Sequence, residues 1–327
     1  MSAESSGATA CLPERILVLE NPFCKNAARG NRQLPDLIEF SGLASDTVQT
    51  DRDFAVTADR LKNVLEPTDL LYVIGGDGTV NQTLEPLIRS QALLLPTRSG
   101  NANDLALSMN GRRAPWKIFS DFKHGMASDV KVHPIEVTIN SNDLQEIGYA
   151  VNYASFGYAA LASHYLNQPW QHPRFQQAYY KLPALAQNLV GLSREGYLLG
   201  KAAVDAEPFQ YSDQDYAVDI TAVHSKRMAK LGRFNVQHTD PCMFAVHLPQ
   251  AGVLAIGKEV AKMAQGKTAG EYVSHLAFSV GPTGSALYYQ LDGEAHPLPN
   301  HSNISIGLAR DSVRILTRST GVPYDRK

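Results

Sequence analysis

The sequence predicts an α/β nucleotide-binding domain, a parallel sheet with helices on both faces, followed by a C-terminal β-sandwich domain. Three observations carry this. Short, unbroken apolar runs alternate with helical patterns through the first third of the chain, as they do in parallel sheets covered on both faces. Past about Lys131 the rhythm changes to many short β-rich runs, the pattern of a sandwich or barrel. A glycine-rich turn lies where one early strand passes into a helix. The 327 residues leave room for two domains.

In order along the chain, residues 1–14 read as a loose tail. The opening MSAESSGATACLPER has neither a basic n-region nor an apolar h-region, which argues against a secretory signal. The runs Ile16–Leu19, Leu70–Ile74 and Leu93–Leu95 are the expected strands of a first domain over 15–132. Phe54, Ala58, Leu61 and Leu65 recur at helical spacing between them. A boundary is expected near Asp129–Pro134. Residues 133–327 then form the β-rich domain, with runs at Ile135–Ile139, Tyr149–Ala154, Tyr216–Val223, Met243–Leu248, Leu276–Val280, Leu287–Leu291, Ile304–Leu308 and Val313–Leu316. Helices are expected near Ala159–Leu166 and Phe175–Leu189, and the C-terminal end is free to pack back on the first domain. An active cleft is expected between the halves.

Composition narrows the function classes. Hydrophobic residues make up 44% and charged ones 19%, values of an ordinary globular protein rather than a disordered or collagenous one. The net charge of −2 supplies no field to gather nucleic acid or to hold an anionic bilayer unaided. Cys11, Cys24 and Cys242 are odd in number and far apart, so no disulfide framework or CxxC clip is written, and a reducing cytoplasm fits. The most apolar stretch, Cys242–Gly257, contains His247, Pro249 and Gln250. It falls short of the ~20 apolar residues of a membrane span, so any membrane contact is peripheral. The ten histidines show no HExxH or comparable metal spacing.

The most specific feature is Gly75-Gly76-Asp77-Gly78-Thr79, directly after the Leu70–Ile74 strand and before Val80, Leu84, Leu87 and Ile88 at helix-face spacing. Glycines let the backbone turn tightly and approach a ligand, and the helix beyond offers free N–H groups to phosphate. Thr79 with Gln82 reads as a capping box. Asp77 stands where Mg²⁺, a base function or local capping would want a carboxylate. Near the other end, Asp292-Gly293-Glu294 follows the Leu287–Leu291 strand, so a turn there presents Glu294 at a strand end. Asp-Gly is also a common hairpin turn.

With these motifs the chain resembles the diacylglycerol kinase catalytic-domain superfamily, which includes bacterial lipid kinases, sphingosine kinases and ceramide kinases. The resemblance covers most of the chain. It runs from Asn21-Pro22 through GGDGT and Asn81, past Asp129 and Asn152-Tyr153-Ala154-Ser155-Phe156-Gly157, to Asp292-Gly293-Glu294. It implies an ATP- and Mg²⁺-dependent lipid kinase that transfers the γ-phosphate to a lipid hydroxyl, with diacylglycerol or sphingosine as the type of acceptor. ATP would be held by Asn21, Gly75, Gly76, Asp77, Gly78, Thr79 and Asn81 and by a loop of Arg98, Ser99, Gly100, Asn101, Asn103 and Asp104. Asp77 would reach the ATP-bound Mg²⁺. The resemblance implies Glu294 as the base that takes the hydroxyl proton, whereas in sphingosine kinases the aspartate of the glycine turn has that task, so both remain candidates.

The loop after Pro96 departs from the family's Pro-x-Gly-Thr-x-Asn-Asp segment. Matched ungapped, Arg98 replaces a glycine and Asn101 is the family asparagine. Shifted by two residues, Gly100, Asn103, Asp104 and Ala106 fit. Arg98 either clamps a phosphate or blocks the pocket. The bacterial structural Mg²⁺ site has no companion residues at Asp240-Pro241-Cys242-Met243. Ala261–Thr268 is a loose Walker A match in a segment that looks helical, and Gly281–Ala286 is similar to a NAD kinase motif. Arg112, Arg113, Trp116 and Lys117 form a basic loop able to touch lipid headgroups. Two other classes stay open: a NAD kinase-like enzyme, and a catalytically silent lipid- or nucleotide-binding protein. The resemblance also makes a homodimer plausible; a nucleic-acid partner is not expected.

Overall fold

A computed structural model describes residues 12–24, 26–141, 144–167, 199–204, 207–208, 217–228, 232–249, 253–280 and 287–318. The expected helix at Phe175–Leu189 and the Gly281–Ala286 motif lie outside the described residues. The chain divides into two compact units, one running to Val132 and taking in Ser312 onward, the other spanning His133–Asp311.

The first unit holds β1 (Arg15–Glu20), α1 (Ala27–Ser41), β2 (Ala44–Gln49), α2 (Phe54–Val64), β3 (Asp69–Ile74), α3 (Asp77–Asn81), α4 (Leu84–Ser90), β4 (Leu93–Pro96), α5 (Asp104–Asn110), α6 (Pro115–Lys123) and β5 (Ala127–Val132). The second holds β6 (Ile135–Ser141), β7 (Leu144–Ala150), β8 (Tyr153–Gly157), α7 (Tyr158–Asn167), β9 (Leu199–Val204), β10 (Glu207–Pro208), β11 (Ala217–Val223), β12 (Arg227–Met228) and β13 (Gly232–Arg233). It continues with β14 (Met243–Pro249), α8 (Val253–Gln265), β15 (Glu271–Val273), β16 (His275–Val280), β17 (Leu287–Leu291), β18 (Glu294–Leu298) and β19 (Ser302–Leu308). The last strand, β20 (Val313–Arg318), returns to the first unit.

The sheet of the first unit runs β2-β1-β3-β4-β20-β5. Its pairs are parallel except β20 with β5. All six residues of β3 are buried; Asp69 is paired with Arg15, and Leu70–Ile74 form an unbroken apolar run. On one face Ile16, Val18, Leu70, Tyr72 and Ile74 pack with Leu37 of α1 and Ile118, Phe119 and Phe122 of α6. The alternate residues Leu17, Leu19, Leu71 and Val73 are buried too, as are Leu61 of α2 and Leu84 and Leu87 of α4, helices that pack on each other. Local chemistry sets several ends. Asp53 caps α2 by accepting the Ala55 N–H, and Gly42 closes α1 in the left-handed conformation at φ 71°.

The sequence reads Val313–Leu316 among the β-rich runs of the C-terminal half; the strand lies inside the first sheet, between β4 and β5. Val313, Ile315 and Leu316 are fully buried there. Arg314 Nε donates to Asp129 Oδ2 at 2.7 Å, and Asn110 Nδ2 of α5 donates to the Leu316 carbonyl at 3.1 Å. A strand apolar on both faces suits the interior of a parallel sheet.

The second unit is a sandwich of two six-stranded antiparallel sheets, β10-β9-β16-β19-β6-β7 and β15-β14-β11-β8-β17-β18, with β12 and β13 as a short ribbon. Its core sets Val137, Ile139, Ile304 and Ile306 of one sheet with Ala154, Phe156, Ile220, Tyr289 and Leu291 of the other. Phe156 stacks on Tyr289 at 5.8 Å and meets Phe278 edge-on at 5.2 Å, geometries that aromatic quadrupoles favour. The Walker-like segment Ala261–Thr268 begins inside α8 rather than after a strand. Among the described residues no helix is long and apolar enough to cross a membrane.

Candidate functional site

In the first unit, β3 ends at Ile74, Gly75 and Gly76 follow, and α3 starts at once with Gly76 as its N-cap and no side-chain cap bond. The expected capping box therefore does not form. Thr79 lies within the helix, and its Oγ1 accepts Asn21 Nδ2 at 3.0 Å. Asn21 in turn accepts the Phe23 N–H at 3.0 Å and donates its own N–H to the Ile74 carbonyl. A Cβ on Gly75 would sit 2.3 Å from Thr79 Cβ, and one on Gly100 would sit 2.2 Å from Gly76 Cα. Only glycine lets the two loops meet backbone to backbone.

The loop after β4 is bound to that turn at several points. Thr97 donates its N–H to the Val73 carbonyl. Buried Ser99 shares a 2.8 Å hydrogen bond with Thr97, and its carbonyl accepts the Asn26 N–H. Asn103, at φ 57°, accepts the Gly100 N–H at 2.7 Å and donates back to the Gly100 carbonyl at 2.9 Å. Asp77 crosses from the other loop: Oδ2 accepts the Asp104 N–H at 3.0 Å and Oδ1 the Leu105 N–H at 3.1 Å. Of the residues of the shifted match, Gly100 and Asp104 meet the glycine turn directly, and Asn103 braces Gly100. Asn101 is exposed at the loop's tip, and Gly78 and Asn81 are half-buried on α3. Arg98 donates through Nη2 to the Arg112 carbonyl at 3.0 Å.

The basic loop is engaged locally. Arg113 pairs with Asp121 at 2.7 Å, Trp116 packs against Phe40 of α1, and Lys117 lies over the Trp116 ring.

In the second unit, Asp292 at φ 51° and Gly293 at φ 94° form the two-residue turn between β17 and β18. Both positive angles mark the type I′ hairpin that Asp-Gly favours. Buried Asp292 accepts the N–H groups of Val151, Asn152 and Tyr153 at 2.7–3.1 Å. That fixes the Asn152–Gly157 segment to the hairpin. Asn152 Oδ1 accepts a hydrogen bond from His238 Nε2 at 3.0 Å, and burial pushes that imidazole down to about 3, so it is neutral. The Asp240 turn serves this network: its carbonyl accepts His224 Nε2 and its carboxylate accepts the Gln237 N–H.

Glu294 opens β18 opposite Leu291, and His296 lies opposite Tyr289. Burial raises the Glu294 carboxyl above the ordinary carboxylate value. Sequence reasoning missed three contacts around this hairpin and α7. Ser163 of α7 donates to the Gly293 carbonyl, Tyr289 donates to Glu146 of β7, and buried Asp219 of β11 accepts the Ala159 N–H at the start of α7. Each contact spans 60 residues or more, and no local pattern encodes it. Among the described residues no group of three His, Cys, Asp or Glu side chains could hold a metal ion.

This architecture is the diacylglycerol kinase-like and NAD kinase-like fold. A diacylglycerol kinase from Bacillus anthracis str. Sterne matches at a TM-score of 0.60 and 14% identity over 94% of this chain and 98% of its own. A second chain from that organism gives 0.64 at 14% identity, covering 94% and 99%. Yeast NADH kinase, solved with NADH, gives 0.55 at 12% identity over 94% and 85%. No family model and no curated protein matches the sequence.

Proposed function

We propose that the protein is an ATP- and Mg²⁺-dependent lipid kinase, transferring the γ-phosphate to the hydroxyl of a diacylglycerol- or sphingosine-type lipid. The observation that carries this reading is the fusion of the glycine turn with the Gly100–Asp104 loop, in a fold shared with a diacylglycerol kinase and a NADH kinase. Backbone N–H groups and the neutral amides of Asn21 and Asn81 suit phosphate oxygens, which need donors at close approach, while Asn103 holds the loop's shape through Gly100. No protein cluster among the described residues holds a metal, and Mg²⁺ would arrive on the ATP phosphates, whose charge it neutralises.

Phosphoryl transfer needs one proton removed from the acceptor hydroxyl as its oxygen bonds to the γ-phosphorus and the bond to the ADP oxygen breaks. Glu294 takes that proton. Burial brings its carboxyl nearer neutral pH than an ordinary glutamate, which makes it a better base at working pH. Acceptor lipid would come from a membrane surface that the protein visits peripherally, in the cytoplasm, as a monomer or homodimer.

The test is transfer of labelled γ-phosphate from ATP-Mg²⁺ to diacylglycerol and sphingosine in mixed micelles, with NAD and NADH as soluble acceptors. Labelled lipid is expected, with kcat rising as pH climbs through the Glu294 value. Glu294→Gln should slow turnover by a factor on the order of 10²–10⁴ and remove that rise. Labelled NADP(H) instead would assign the yeast enzyme's acceptor class. ATP binding with no product would make the protein a silent binder.

A further inference from the structure

Asp77 is the residue whose role the proposed reaction leaves open. Its side chain is 9% exposed, and its two oxygens accept the N–H groups of Asp104 and Leu105, themselves 1% and 0% exposed. Those N–H groups open α5, whose N-cap is Asn103 in the left-handed conformation with no side-chain cap bond. The Asn103 side chain is committed to Gly100. The helix therefore takes its cap from a residue 27 and 28 positions away. The same two loops touch where Gly76 meets Gly100, so one backbone contact and two charge-assisted hydrogen bonds hold the glycine turn and the Gly100–Leu105 segment as one piece. Were the carboxylate to take a proton, the two N–H groups would lose the charge that strengthens their hydrogen bonds. Leaving its present place would uncap α5.

We propose that Asp77 is a positioning residue: it acts through the Asp104 and Leu105 amides to set the Gly100–Asp104 loop against the glycine turn for the nucleotide, and it does not accept the substrate proton. This rests on the reading of the site as an ATP site. The proton would then belong to Glu294 alone.

The test compares Asp77→Asn with Glu294→Gln in the full chain. Asparagine keeps one acceptor oxygen and turns an NH₂ toward the second N–H. The expected result is a KM for ATP raised about tenfold or more, the worth of one hydrogen bond to a charged group, with kcat changed less than KM and its pH dependence retained. Turnover slowed about a hundredfold or more with unchanged KM, or loss of the pH dependence, would overturn the proposal. If the unsubstituted protein phosphorylates no lipid, the lipid-kinase reading fails by itself. Calorimetry with ATP-Mg²⁺ then reads the proposal: affinity weakened about tenfold in the variant supports it, and equal or absent binding overturns it. Should Asp77→Asn not fold, hydrogen exchange on the native chain decides. Slow exchange at Asp104 and Leu105, slower still with ATP-Mg²⁺, supports the role, and exchange at open-loop rates or unaltered by nucleotide overturns it.

Discussion

Gly76 and Gly100 illustrate how much of the candidate site depends on the absence of a side chain. Alanine at position 100 would press its methyl to 2.2 Å from Gly76 Cα, and the obstacle is backbone that cannot rotate away. Gly100→Ala should therefore force the loops apart, lowering stability by about 1–3 kcal/mol, the usual cost of overpacking, and weakening ATP binding. A urea titration beside a nucleotide titration checks both. Gly42, by contrast, has open space around its missing Cβ, so its conformation at φ 71° is what a substitution there would strain. The glycine turn was legible because Gly-Gly-Asp-Gly-Thr follows a strand directly. Gly100 was legible only as one of two possible matches, since its partner is fixed by folding and not by spacing.

At the scale of elements, α7 shows what a sequence pattern can and cannot convey. Its existence follows from the apolar spacing near Ala159–Leu166, and the helix spans Tyr158–Asn167. Its anchor does not: Asp219, on another strand, accepts the Ala159 N–H at 2.6 Å and the Thr221 hydroxyl at 2.7 Å. The capping box expected at Thr79 does not form because the helix begins earlier, with Gly76 as its N-cap, and the hydroxyl instead accepts Asn21, just after β1. Burial raises the Asp219 carboxyl from 3.8 to about 7. The folded chain thus keeps this proton up to about pH 7, while the unfolded chain gives it up near pH 4. Stability from this group is fully present below pH 4 and falls as pH rises to about 7, on the order of 1.4 kcal/mol per pH unit. Asp219→Asn keeps an acceptor for Ala159 and lets the Thr221 hydroxyl reverse. Thermal melts from pH 4 to 8 should show the loss flattened in the variant, which should be the more stable form at pH 8. A parallel decline in both proteins would count against this account.

For the whole molecule, the two architectures were legible from the change of rhythm near Lys131, since unbroken apolar runs and short alternating strands bury their surfaces differently. The sheet that each strand joins was not. Val313–Leu316 reads like any other short β run, and only the fully buried positions on both its faces reveal an interior place between β4 and β5. Ending the chain at Asp311 should remove the cooperative melting of the first unit and leave the hydrogen-exchange protection of the sandwich strands. A first unit that melts unchanged would show that β20 is dispensable.

The position of β20 also bears on how the chain is made. On a ribosome, the first unit cannot close when residues 1–132 have emerged, because the strand between β4 and β5 follows the whole of the second unit in the chain. At about 5–20 residues per second, the interval between β4 and β20 is about 10–45 s. During that interval the nascent sheet carries unpaired edges, a template for joining other chains, while the whole sequence of the sandwich is already emerging. The first unit is therefore completed only after the sandwich has been synthesised, and the nascent chain needs its edges shielded until β20 emerges.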